Sequence, residues 1–232
     1  MTTYTHEFYA TRDKATRYSA ETMLGLVLKR IGPVRSAVDV GCGVGTWLSV
    51  LRDRNVEDIQ GYDGPWVERE LLEIPPECFE QVELSHALPI ITRRYDLAIS
   101  LEVAEHLPAE KAAAIVKMLT VLSDSVLFSA AIPGQGGTGH INEQWPKYWI
   151  KLFEAHGYGV DDSIRPQTWN DSKIPVWYRQ NTLVFIKADE SMPVLDLVHP
   201  ELYMAHAQPG VKGTVRQLCT ALDTYFKKRS TG

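Results

Sequence analysis

Short apolar runs alternate along this chain with longer stretches whose apolar residues recur every three or four positions, the pattern of a sheet interleaved with helices. In ETMLGLVLKRIGP, Met23, Leu24, Val27, Leu28 and Ile31 fall on one helical face, and Gly32-Pro33 stops the helix. Strand-like runs follow at SAVDV (36–40), DIQGYD (58–63), CFEQVEL (78–84), YDLAISL (95–101) and SVLFSAA (125–131). Between the last two, PAEKAAAIVKMLTVLS is rich in helix formers with Pro108 early, which suits the right-handed crossover that parallel strands require. QWPKYWIKLFEAHGY predicts another helix, with Trp149, Leu152, Phe153 and His156 on one face and Gly157 at its end. VDDSIRP and NTLVFIKAD predict an antiparallel pair that closes the sheet. The sum is an α/β domain over residues 1–190, doubly wound and mostly parallel, with seven strands. Residues 191–232, with MPVLDLVHPELY and the amphipathic VRQLCTALDTYF, predict a helical appendage packed on the domain or on a neighbouring subunit, so a homodimer stays open.

Composition narrows the partners. With 232 residues, 44% of them hydrophobic, the chain can bury one substantial core. The 24 Lys and Arg against 29 Asp and Glu give a net charge of -5, which argues against a broad electrostatic hold on nucleic acid or on an anionic membrane. No apolar run approaches the roughly 18 residues that span a bilayer, and the polar start MTTYTHEFYATRDK does not read as an export signal. Cys42, Cys78 and Cys219 form neither a CxxC pair nor a disulfide framework. We therefore expect a cytoplasmic protein.

The chemistry concentrates first in VDVGCGVGTW (38–47), where the first strand turns into its helix and where doubly wound sheets bind ligands. A dinucleotide fingerprint needs G-x-G-x-x-G, and counting from Gly41 the sixth position is Thr46. The spacing is instead D-x-G-x-G-x-G, through Asp39, Gly41, Gly43 and Gly45. Glycine lets the backbone adopt positive φ and approach a ligand closely. Asp39, two residues ahead, is a poor neighbour for pyrophosphate and a good one for a cationic amino-acid end. Asp63 ends the next strand in QGYDG, where its two oxygens can accept ribose hydroxyls. The pair suits adenosine without phosphates.

With these residues in place, the sequence resembles the class I S-adenosylmethionine-dependent methyltransferases over roughly residues 20–190. VDVGCGVGTW is similar to their first motif, YDG (62–64) to the acidic second and YDLAISLEVAEHL to the fourth. SAAIPGQGGTGHINEQWPKYW resembles small-molecule members associated with polysaccharide biosynthesis. The resemblance implies a Rossmann-like fold, S-adenosylmethionine as cofactor and a small-molecule acceptor, a sugar or glycan precursor. It implies that Gly41, Cys42, Gly43 and Gly45 cradle the methionine part with Asp39 beneath. Asp63 and Gly64 would meet the ribose, and Glu83 with the backbone of Leu84 the adenine edge, which Trp66 flanks. Leu101 and Glu102 would wall the sulfonium.

If the acceptor is a hydroxyl, a positioned base must take its proton, whereas an amine needs only to be neutral. His106 and His140 follow the fourth and fifth strands on the cofactor side. His106 is the favoured base, with His140, Asn142 or Glu143 binding the acceptor or sharing the role. Glu102, Glu105 and His106 raise the question of a metal, but E-x-x-E-H lacks a second histidine and straddles a strand end, so none is expected. The run IPGQGGTGH reads as a mobile lid or a close approach to substrate. Open alternatives are N-methylation of an amino sugar or other amine, a catalytically silent binding module and, more distantly, a nicotinamide oxidoreductase.

Overall fold

The computed structural model describes residues 6–206, with side chains from Lys14 onward. Strand β1 (Ser36–Val40) is central, and Ala37 to Val40 are all buried. A strand covered on both faces needs a near-continuous apolar run, which SAVDV supplies except at Asp39. Parallel to it run β2 (Asp58–Asp63), β3 (Phe79–Gln81), β4 (Leu97–Leu101) and β5 (Ser125–Ser129). β6 (Tyr158–Asp161) and β7 (Leu183–Lys187) complete the order β3-β2-β1-β4-β5-β7-β6, with β7 antiparallel to both neighbours. This is the expected seven-stranded α/β sheet with an antiparallel closing strand. Strand order reverses between β1 and β4, so the crevice for a ligand opens at their carboxyl ends.

The helices are α1 (His6–Ile31), α2 (Thr46–Arg52), α3 (Ala112–Leu122), α4 (Pro146–Glu154), α5 (Ile164–Thr168), α6 (Val176–Asn181) and α7 (Pro200–His206). Side chains alternate across a strand, and each set meets its own layer. Ala37, Leu97, Ile99 and Val184 pack with Met23, Leu24 and Val27 of α1 and with Leu48 and Leu51 of α2. Val38, Val40, Ala98 and Phe128 pack with Ile115, Val116 and Leu119 of α3 and with Trp149 and Phe153 of α4.

Several boundaries differ from the pattern. The run 78–84 yields a strand only at its first half, since β3 is an edge strand and Glu83 turns the chain by accepting at its carbonyl from His86 N and Ala87 N. VDDSIRP is a strand only to Asp161, whose Oδ1 accepts from Ser163 N at 2.8 Å and ends it; α5 follows, with buried Arg165 forked onto Asp162 at 2.6 Å. In α4 the buried face is Trp149, Ile150 and Phe153, while His156 lies beyond the helix end and is exposed. Residues 190–206 run back over the closing strands: Met192 N donates to Val160 O at 2.7 Å, and Arg165 and Gln180 donate to the carbonyls of Leu195 and Leu197. The amphipathic stretch VRQLCTALDTYF lies outside the described residues. No described helix is long and apolar enough to cross a membrane.

The end of α1 is tied to the far sheet edge by Arg30, which pairs with both Asp161 and Asp189. Burial pushes the Asp161 carboxyl up, but hydrogen bonds from Ser163 and Arg30 outweigh it and hold it below the usual range. A depressed folded-state value contributes stability above the unfolded value that is lost as pH falls through the folded one. Arg30→Met should therefore cost about 1 kcal/mol near pH 7, discounted for the half-exposed guanidinium, and the difference from the native protein should shrink below about pH 4 in denaturant titrations.

Candidate active site

The glycine loop after β1 is held to β2, since Gly41 N and Cys42 N both donate to Tyr62 O at 2.7 and 3.1 Å. Gly41, Gly43 and Gly45 have φ of 87°, 55° and 88°. Their reasons differ. A Cβ on Gly41 would lie 2.2 Å from Val103 Cγ2 and one on Gly45 2.9 Å from Ile74 Cγ1, so both are needed for close packing. A Cβ on Gly43 would meet nothing within 4 Å. Gly43 is the glycine that faces open space.

Asp63, at the end of β2, accepts from Gly43 N through Oδ2 and from Gly64 N through Oδ1, both at 2.6 Å. Its carboxylate thus shapes the loop, and with the Trp66 indole as a third donor it keeps acceptor capacity for a ligand on one oxygen. Burial raises its pKa, with the bonds from Gly43, Gly64 and the Trp66 indole pulling the other way. Asp39 is pushed well above the carboxylate range, first by burial and then by the charge of Asp63. Two buried acids side by side favour a positively charged ligand. Asp63→Ala should remove both the brace and any bond to the ligand; a loss of about 1–3 kcal/mol in cofactor affinity is expected by calorimetry.

The opposite wall begins where β4 ends. Leu101 is buried, and Glu102 has φ of 55°, a left-handed conformation that a non-glycine residue adopts at some cost. Its amide donates to Ser129, and its carboxylate accepts from Gln135 Nε2 at 3.1 Å and Asn181 Nδ2 at 3.0 Å. A short turn, Ala104–His106, follows. Glu105 is fully buried, neither of its carboxyl oxygens completes a hydrogen bond of normal geometry although the Glu102 carboxyl and the Ala131 amide are near enough to act on it, and burial, then the charge of Glu102, pushes its pKa up to about 9.

The loop after β5 folds onto this turn. Ile141 N and Asn142 N donate to Glu105 O at 2.9 and 3.0 Å. Glu143 accepts from Gly134 N, Gly136 N and His140 Nδ1 at 2.7, 2.8 and 2.9 Å. Burial alone would raise Glu143, but these bonds hold it below its ordinary value. The glycine run expected as a lid is thereby braced by one carboxylate. The loop carries His140 to His106, their ring centroids 4.8 Å apart and the planes at 87°. His106 Nδ1 lies 3.3 Å from Gly139 O.

The two expected histidines thus come together, and Val103 joins the β4 turn to the glycine loop. Other candidates stand apart. The Glu83 carboxylate is engaged by Ser85 at 3.1 Å and His86 at 3.0 Å, and the Leu84 side chain is in the core, leaving its backbone as the hydrogen-bonding edge. Trp66 covers Gly64, whose Cβ would meet its ring at 2.3 Å. Cys42 is buried beside Gly61. Asn142 is buried, its amide spent on Ala104 O and Gln144. Sequence reasoning did not foresee Gln135 and Asn181, which reach Glu102 from other segments and carry no local motif.

The pattern of a methyltransferase-domain family matches residues 13–172. No curated protein matches the chain. Among solved structures, Streptomyces venezuelae DesVI is similar over 78% of this chain and 95% of its own, with a TM-score of 0.58 at 15% identity. Magnesium protoporphyrin IX methyltransferase (ChlM) from Synechocystis PCC 6803 with bound SAH is similar over 77% of this chain and 87% of its own, with a TM-score of 0.56 at 17% identity. The same enzyme with bound SAM gives 75%, 80%, 0.53 and 17%. These likenesses carry the fold, and the family match, over well more than half of the chain, carries the class of enzyme: the chain belongs to the methyltransferase-domain family, enzymes whose methyl donor is S-adenosylmethionine.

Proposed function

We propose that this methyltransferase methylates a hydroxyl of a small molecule, a sugar or glycan precursor. The observation that carries the reading is the pair of imidazoles, His106 and His140, in edge contact on the loops after β4 and β5, with Glu143 behind one of them. A hydroxyl needs help to lose its proton, and an amine does not.

The chain's residues fit the cofactor. Gly43 leaves its space open, and buried Asp39 and Asp63 suit a positively charged ligand. In this reading Gly41, Cys42, Gly43 and Gly45 cradle the methionine part above Asp39, and Asp63 with Gly64 holds the ribose. The backbone of Leu84, with Glu83, meets the adenine edge, and Leu101 and Glu102 wall the sulfur. When bound, the cofactor supplies an electrophilic methyl group, and alignment with the acceptor supplies much of the rate. His106, donating from Nδ1 to Gly139 O, carries its lone pair on Nε2, where it can take a proton. His140, oriented by Glu143, binds the acceptor.

Incubation with S-adenosylmethionine and a panel of sugar nucleotides, free glycans and amino sugars, followed by mass spectrometry of the products, tests this. The expected product carries its new methyl on oxygen. Methylation only of amines, at a rate that follows amine deprotonation and ignores His106→Ala, would replace it with the N-methyl reading.

A further inference from the structure

We propose that Glu105, His106 and His140 bind a divalent transition-metal cation, of the zinc or manganese kind, between the loops after β4 and β5. One atom from each of the three lies within 4.8 Å of the others. Glu105 supplies the strongest indication. It is fully buried, and neither oxygen completes a hydrogen bond of normal geometry, the neighbouring Glu102 carboxyl and Ala131 amide acting on it only at longer range. A buried carboxyl left so is costly, and such groups are found paired or ligating.

Both histidines are held through Nδ1, and the Nε2 of His140 lies against Gly137, where a Cβ would come within 2.3 Å of it. Nδ1 of His140 meets Glu143 Oε1 at 2.9 Å and Nδ1 of His106 meets Gly139 O at 3.3 Å. Donation from Nδ1 to a carboxylate or a carbonyl sets the ring and puts the lone pair on Nε2, the arrangement that commonly backs metal-bound imidazoles. Glu143 is in turn fixed by Gly134 N and Gly136 N. Glu102, whose oxygens are taken by Gln135 and Asn181, stands beside the cluster as a neighbouring charge.

Two imidazole nitrogens and one carboxylate oxygen suit zinc or manganese better than magnesium or calcium, which prefer oxygen shells. Three protein ligands leave a coordination position open. The present spread exceeds the roughly 3.3 Å between ligand atoms of a closed tetrahedral shell. His106 is exposed on a short turn, and closing the shell requires that turn or its side chain to shift inward. The role rests on the hydroxyl-methylation reading and changes one part of it: the open position would receive the acceptor oxygen and make its proton more acidic, so that the proton leaves to solvent as the methyl arrives, and His106 acts as a ligand in place of the base.

The test uses the untagged full chain, stripped of metal and titrated with manganese and, through a competing chelator, zinc. One cation per chain is expected, with magnesium weaker. Glu105→Gln and His140→Ala should each weaken binding by about tenfold or more, while affinity for S-adenosylhomocysteine stays unchanged. Glu143→Gln, which keeps every ligand and loosens His140, should give an intermediate loss and serves if either variant fails to fold. No manganese or zinc bound at about 1 mM, or full binding retained by the folded variants, overturns the proposal. A protein that binds S-adenosylhomocysteine without binding metal defeats this site alone. One that binds metal in this cluster but methylates only amines defeats the hydroxyl reading alone.

Discussion

Gly43→Val is expected to fold and to lose S-adenosylmethionine binding by about 100-fold or more, whereas Gly41→Ala, a smaller change, should chiefly damage the fold. The two glycines are two residues apart and both have positive φ. What separates them is what stands where a side chain would go. At Gly41 the new methyl would sit 2.2 Å from Val103 Cγ2, and nothing moves aside without disturbing the turn that leads to Glu105 and His106. Overpacking and left-handed strain together make a loss of about 2–4 kcal/mol. At Gly43 the surroundings are empty, so the fold bears only the strain of a branched residue at φ of 55°, about 1–2 kcal/mol. The space that valine fills is the space we assign to the cofactor, and a steric overlap there is not relieved by rotation of a branched side chain. Thermal melts and calorimetry on the two variants should give opposite rankings. Equal affinity of Gly43→Val and native protein would remove the cofactor from that side of the loop.

His106→Ala is expected to lower turnover by about 100-fold or more while cofactor affinity and stability stay close to native. The side chain is exposed and meets the Gly139 carbonyl and the edge of His140. Loss of such a group costs little in folding. In the reading proposed above other residues hold the adenosyl part, so cofactor affinity should not depend on this side chain. The effect belongs in the rate constant at saturating cofactor. Full turnover in His106→Ala would pass the activation of the acceptor to His140.

The sheet was legible because its signals are local. SAVDV and DIQGYD give β1 and β2 to the residue, the first as a short buried run and the second as Ile59 and Tyr62 between two aspartates. The glycines and acids were legible for the same reason, being placed by chain order at the carboxyl ends of adjacent strands. Boundaries set by side-chain bonds were not. Asp161 ends β6 through Ser163, and Arg165 turns inward to Asp162, both in a stretch that reads as a strand. Strand order already put His106 and His140 at one crevice, but their grouping with Glu105 was hidden, because it depends on two bonds from the second loop to the Glu105 carbonyl. Local spacing has no term for that. The Glu102 bonds to Gln135 and Asn181 were invisible likewise, joining three segments that only the closed sheet brings together.

The central claim is that the glycine loop and the acids Asp39 and Asp63 form the seat of an adenosyl cofactor. Titration calorimetry of the purified full chain with S-adenosylhomocysteine tests it most directly. One molecule bound per chain, with affinity lost in Gly43→Val, is the predicted result; a folded protein that releases no binding heat and shows no thermal shift at millimolar ligand would contradict it.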